Sequence, residues 1–333
     1  MTGARTSSRA VLVERFGDPE SFVLKPHDPG APAPGQVRLR THAAGVSYVD
    51  VLIAQGLYQV KPPLPFVPGS EYAGVIEAVG SDVDPARVGE RVMASGFGAA
   101  LGEAATIPAK MAIPIPDSMD FATASIFRVS YATAYYALVQ RGALQPGETV
   151  LVLGAGGAVG YAAVEIAKAL GARVIASASS AEKRALALRG GADAAVDARS
   201  PTWREDVKGA NDGRPVDLVV DPVGGDASES AFRSLAWKGR HLVIGFAGGH
   251  IPKIATNLAL LKGAALLGVD IRQFGEREPQ AAQADLDAIF DIHRVGKLHP
   301  PIARTYPLDD FAAAMADAKQ GIRAGRVVVT MGA

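Results

Sequence analysis

The chain has 333 residues, 48% of them hydrophobic and 20% charged, which suits about two folded domains and excludes a disordered tail. Its 34 basic and 34 acidic residues cancel, and no like-charge run stands out, which argues against a nucleic acid or an anionic membrane as partner. Cysteine is absent, so disulfides, thiolate nucleophiles, iron–sulfur clusters and every zinc site built on sulfur are excluded.

At the N-terminus the apolar run Ala10–Val13 ends at Glu14. That is too short for a signal-peptide core, and a cytosolic protein is expected. No stretch of about 20 uncharged apolar residues follows. From Ala10 to about Ser118, short Val-, Leu- and Ile-rich runs (AVLVERFG, QVRLRTHAAGV, EYAGVIEAVG, ERVMASG, EAATIPA) are separated by Pro and Gly, which predicts an all-β unit of barrel type. From Thr149 the runs VLVLG, RVIASA, AAVD, DLVVD, HLVIGF and ALLGVD alternate with segments of helical period. Six strands with intervening helices predict an α/β unit around a doubly wound parallel sheet. Beyond Pro300 a helix is expected over Leu308–Lys319 and a strand over Arg326–Thr330, able to complete either unit.

The 37 glycines exceed the usual ~7% of a chain, and one group of them is informative. In ETVLVLGAGGAVGYAAVEIAKALGARVIASASS an apolar strand runs into Gly154, Ala155, Gly156, Gly157, Ala158, Val159 and Gly160. A helix should follow, with Val159, Ala163, Ile166 and Leu170 inward and Glu165 and Lys168 facing away. Glycine permits the tight turn, and the missing Cβ lets backbone N–H groups at the helix start approach a diphosphate. Strand, glycine turn, helix and second strand together form a dinucleotide fingerprint with G-x-x-G-x-x-G spacing. An unliganded βα turn is the alternative.

At the end of the next strand an NAD site places an acidic residue on the ribose hydroxyls. Here stand Ser177, Ala178 and Ser179, followed by Lys183 and Arg184. With no carboxylate to repel a 2′-phosphate and with hydroxyl and cationic donors at hand, NADPH is expected over NADH.

These motifs, with AGVSYVDVLIAQGLY, PFVPGSEYAGVIEAVG, GERV, SYATAYYAL, LQPGETVLVLGAGGAVG, DPVGG and VIGFAGG in order along nearly the whole chain, resemble the zinc-independent quinone oxidoreductases of the medium-chain dehydrogenase/reductase superfamily. The resemblance implies a GroES-like β-barrel catalytic domain (1–124 and 272–333) and a Rossmann NADPH-binding domain (125–271), with the active site in their cleft. In zinc-dependent relatives a ligand cysteine stands at the position of Ser47 and a ligand histidine at that of Ser70. Both are serine here, and a neutral hydroxyl is a poor zinc ligand. His27, His42, His241, His250, His293 and His299 form no pair at helical spacing, so no metal is expected.

Without a metal, hydride passes directly to an acceptor that already delocalises the developing charge, such as a quinone or an enone. The resemblance implies that Tyr58 contacts substrate through its ring and hydroxyl. Ser47 either contacts the nicotinamide ribose or acceptor, or stabilises a turn. Family members commonly carry Asn where Ser47 stands and Tyr where Leu52 stands, so the pocket is expected to be less polar. Thr133 matches a threonine near the nicotinamide, with a helix-interior role as the alternative, while Asp50 and Glu71 match structural acids. Ala198 replaces a family tyrosine beside the 2′-phosphate, leaving Arg199 to substitute. Gly245, Phe246 and Ala247, together with Val269 and Ile271, match segments near the nicotinamide. The apolar edge strand at Ala264–Asp270 calls for cover by a symmetry mate, hence a homodimer. Two other readings stand beside the NADPH:quinone reductase: an enoyl or 2-alkenal reductase, and a low-turnover NADPH-binding redox sensor.

Overall fold

The computed structural model describes residues 8–332. The described residues form two compact units, 8–129 with 300–332 and 130–299. In the first, strands β1 (Arg9–Leu12), β2 (Val23–Pro26), β3 (Gln36–Val46), β4 (Glu71–Val79), β5 (Arg91–Ser95), β6 (Ala104–Pro108) and β7 (Ile113–Pro114) come from the N-terminal part. The second unit contributes β8 (Thr149–Leu153), β9 (Arg173–Ala178), β10 (Ala194–Asp197), β11 (Val216–Asp221), β12 (Leu235–Val243) and β13 (Ala265–Gly268). The chain then returns to the first unit as β14 (Ile302–Pro307) and β15 (Arg326–Thr330).

That return is fixed by pairing: β15 runs antiparallel to β3 with Val328 opposite Gly45, and β14 lies parallel on its far side. The order β14-β15-β3-β4-β5-β7, with β6 also on β3, makes one sheet whose inner face carries Val37, Leu39, Tyr72, Ile76, Val92 and Val329. Helix Phe311–Gln320 buries Phe311, Ala314 and Met315 in the same core. Gly45 is required there, because a Cβ would lie 2.4 Å from the Ser125 carbonyl oxygen.

The second unit holds six parallel strands in the order β10-β9-β8-β11-β12-β13. Every residue of β8 is buried, as expected of a central parallel strand covered on both faces. Sheet order reverses between β8 and β11, so the loops after these two strands flank the topological switch point, where open α/β sheets bind ligands.

Two expectations are corrected. The unit boundaries fall at 129/130 and 299/300 rather than 124/125 and 271/272. Helices Ile271–Arg277 and Pro279–Arg294 belong to the second unit, held by Tyr136 stacked on Phe274 at 4.1 Å and by Gln140 donating to Asp285 at 2.7 Å. Glu165 does not face away. It is 4% exposed, and its carboxylate accepts the Tyr131 hydroxyl at 2.5 Å and the His299 backbone N–H at 3.0 Å. Among the described residues no helix is long and apolar enough to cross a membrane.

Candidate active site

After β8 the backbone turns at Gly154 with φ +60°, a conformation that disfavours any side chain. A Cβ there would meet Val223 at 2.7 Å, and one on Gly160 would lie 2.2 Å from the Gly154 carbonyl oxygen. Gly154 therefore serves the turn and Gly160 the close approach of helix to strand. Gly157 is the N-cap of helix Ala158–Ala169 and has no capping side chain. The first N–H groups of a helix lack intrahelical partners, so those of Ala158, Val159 and Gly160 form an anion cradle at the positive end of the helix dipole. The geometry fits the diphosphate of a dinucleotide.

The loop after β11 faces this turn and is shaped by a residue that the sequence reading passed over. Asp221, 2% exposed, accepts the N–H groups of Val223 (2.9 Å) and Gly224 (2.7 Å) on one oxygen. On the other it meets the Ser228 hydroxyl (2.6 Å) and His241 Nε2 (2.9 Å). Burial alone would raise its pKa, but the bonds from His241, Ser228 and Gly224 outweigh burial and hold the carboxyl below its ordinary value. Backbone bonds from Ala247 to Pro222 (3.2 Å) and from Gly248 to Val223 (2.7 Å) then join loop 222–225 to the segment carrying Gly245, Phe246 and Ala247. Val269, 8% exposed, donates its N–H to Val243 at 2.9 Å, and Ile271 opens a helix whose N-cap Asp270 accepts the Gln273 N–H. Thr133 is buried in helix Arg128–Tyr135.

At the end of β9 the expected phosphate ligands separate. Ser177 is corrected: its hydroxyl is buried and accepts the Trp203 indole N–H at 2.9 Å, so it points into the core. Ser179 and Lys183 are half-buried, and Arg199 is exposed. A carboxylate also stands nearby, contrary to expectation. Asp197, at the end of β10, is in register with Ala178, and Arg184 pairs with it at 3.0 Å. The signal was the final Asp of AAVD, which strand pairing brings beside the neighbouring strand's end.

In the first unit Ser47 is the N-cap of helix Tyr48–Ala54 in a capping box with Asp50. Its hydroxyl accepts the Asp50 N–H at 3.2 Å and donates to Asp50 Oδ2 at 2.7 Å. These bonds describe the turn-stabilising reading of Ser47, and the hydroxyl keeps a second lone pair able to accept from a nicotinamide ribose. Glu71, buried, pairs with Arg326 at 3.1 Å and accepts the Val129 N–H at 2.9 Å. Burial nevertheless keeps its carboxyl above the ordinary value. Half-buried Arg128 donates to Ser95 Oγ at 2.9 Å. Tyr58 is partly exposed in the bend after helix Tyr48–Ala54.

Comparison with known proteins matches residues 33–117 to the alcohol dehydrogenase GroES-like domain and residues 158–287 to the zinc-binding dehydrogenase family. The chain is 35% identical to quinone oxidoreductase-like protein 2 homolog of Nematostella vectensis over 98% of this chain and 89% of that protein. A mycobacterial protein solved in complex with NADPH superposes with TM-score 0.86 at 29% identity, covering 97% of this chain and 99% of the other. The CurK enoyl reductase does so with TM-score 0.87 at 25% identity, covering 98% and 99%. The zinc in the second family's description does not fit the residues present: the Ser47 hydroxyl is committed to Asp50, Ser70 offers another neutral hydroxyl, and no thiolate exists in the chain. Doubly wound sheet, GroES-like unit and full-length similarity together establish that the chain belongs to the quinone oxidoreductase family of the medium-chain dehydrogenase/reductase superfamily.

Proposed function

We propose that this protein is an NADPH-dependent oxidoreductase that delivers hydride directly to a quinone without a metal, in the cytosol. The observation that carries the reading is the glycine cradle at 154–160 with Val223 against Gly154, supported by a relative whose name is quinone oxidoreductase-like and a structural neighbour holding NADPH. When bound, the nicotinamide supplies the hydride. The N–H groups of Ala158, Val159 and Gly160 hold the diphosphate, and the Asp221 network keeps loop 222–225 in place beside them. Lys183, Ser179 and Arg199 receive the 2′-phosphate, while Arg184 neutralises Asp197 and so removes the charge that would oppose it. Thr133, Gly245, Phe246, Ala247, Val269 and Ile271 line the nicotinamide end, a role taken from the family resemblance.

Tyr58 donates its hydroxyl to the acceptor oxygen as negative charge develops there, the stage at which a fixed donor lowers the barrier. Asp50 and Glu71 hold the fold around it. A second reading, reduction of a conjugated C=C bond in an enoyl thioester or 2-alkenal, is favoured by the likeness to the CurK enoyl reductase and by the donor-free Leu52.

The test follows NADPH absorbance with a 1,4-quinone, an enone, a 2-alkenal and an enoyl thioester in parallel. Turnover highest on the quinone supports the first reading, and turnover highest on a C=C substrate supports the second. Nucleotide binding without turnover on any of the four leaves the redox-sensor reading.

A further inference from the structure

Three glycines of the turn have structural reasons that differ in kind. Gly154 has a left-handed backbone, and Gly160 would press a Cβ onto the Gly154 carbonyl. Gly156 has neither constraint: its φ lies outside the left-handed region. What forbids a side chain there comes from another element. A Cβ on Gly156 would lie 2.5 Å from Lys183 Cβ, 2.7 Å from Cγ and 3.1 Å from Cα. Real Cβ atoms essentially never approach below about 3 Å, and packed interiors respond to such overlap by moving.

Lys183 cannot yield by rotating its far end, because the clash is at the root of the side chain. It sits in the first turn of helix Ala181–Arg189, its N–H donated to the N-cap Ser180 at 3.3 Å, and that helix is anchored by buried Leu186 and Ala187. The lysine stem therefore crosses the glycine turn in direct contact, and its course from there sets where the ammonium ends.

We propose that Gly156 is a specificity-determining residue for the cofactor's adenosine end, glycine because the Lys183 stem crosses the turn there, and not because the diphosphate needs it. The proposal rests on the reading that Lys183 receives the 2′-phosphate. An alanine at this position displaces Lys183 and the start of its helix, which weakens NADPH and leaves NADH, without the 2′-phosphate, almost untouched.

The experiment measures equilibrium binding of NADPH and NADH to the full chain by nucleotide fluorescence, and thermal unfolding of the same proteins without nucleotide. The proteins are wild type, Gly156→Ala, Lys183→Ala, Lys183→Gly, and Gly156→Ala combined with either lysine change. Gly156→Ala is expected to weaken NADPH about tenfold, the loss of one charge-assisted contact, and NADH less than threefold. Adding it to Lys183→Ala should cost clearly less NADPH affinity than it costs the wild type. In unfolding, Gly156→Ala should lower Tm both in the wild-type background and in the Lys183→Ala background, because lysine and alanine each carry a Cβ. It should lower Tm far less in the Lys183→Gly background, where Cβ and Cγ are gone and only the Cα at 3.1 Å remains.

Equal weakening of both nucleotides by Gly156→Ala, or Tm losses that add for Gly156→Ala and Lys183→Gly, overturns the proposal. If instead wild type binds NADH as tightly as NADPH, or Lys183→Ala leaves their ratio unmoved, the NADPH reading itself fails and the proposal falls with it.

Discussion

His241 Nε2 lies 2.9 Å from Asp221 Oδ2, a contact between a fully buried ring and a nearly buried carboxylate. Because the carboxylate only accepts, the ring donates from Nε2, and the pair fixes the end of β11 where loop 222–225 begins. Replacing Asp221 by Ala strands the Val223 and Gly224 N–H groups, the Ser228 hydroxyl and the imidazole in the interior. The expected cost is about 3 kcal/mol of stability in urea unfolding. Its depressed pKa also sets a pH signature. The stability it contributes is present above the ordinary carboxyl value of 3.8 and is lost as pH falls through the lower folded value. Tm measured down the acid limb should therefore fall less steeply for Asp221→Asn than for wild type below about pH 4.

Glu71 and Arg326 form the corresponding pair in the first unit, 4% and 11% exposed. Arg326→Leu leaves Glu71 buried without its counter-ion and is expected to destabilise by about 3 kcal/mol at pH 7. Glu71→Gln added to it should recover most of that loss. The Glu71 pKa is raised by burial, opposed by Arg326 and the Val129 N–H, and removing Arg326 raises it further. A carboxyl with a raised folded pKa favours the fold below its ordinary value and loses that advantage as pH rises through the folded one. The Arg326→Leu defect should accordingly shrink when unfolding is repeated near pH 5.

Much of the architecture is written in local pattern. The runs VLVLG, RVIASA and DLVVD announce parallel strands because both faces of such strands are buried, and Gly154 and Gly160 announce the turn because no other residue fits there. What escapes is decided by partners distant in sequence. Glu165 sits on what helical period marks as a solvent face, yet Tyr131, 34 residues away, and His299, 134 residues away, reach it. Ser177 looks like a phosphate ligand until Trp203 takes its hydroxyl. Asp221 reads as a turn residue in DPVGG, and nothing local shows that His241 approaches it from the next strand. The helices over 271–294 are amphipathic, and amphipathicity does not name the unit against which a helix packs.

Tyr58→Phe keeps the ring and removes only the hydroxyl. Turnover with a quinone is expected to fall about tenfold or more, with NADPH binding unchanged by fluorescence titration. An unaltered rate removes the donor role.

Along the β13 edge of the second unit Leu266 is 51% exposed, and helix Thr256–Lys262 presents Leu260 and Leu261 at 80% and 70%. An uncovered edge strand with apolar residues invites pairing, and we propose that a second copy of the chain supplies it. Light scattering at micromolar concentration should give a dimer, and Leu266→Lys should shift it toward monomer with the fold intact by circular dichroism.

The central claim is metal-free hydride delivery from NADPH to a quinone, and kcat/KM for quinone reduction by chelator-treated protein tests it most directly, with NADPH and NADH compared side by side. Full activity after metal removal is predicted, together with a preference for NADPH that Lys183→Ala lowers about tenfold. Activity that disappears on chelation and returns with zinc, or no quinone reduction with either nucleotide, would contradict it.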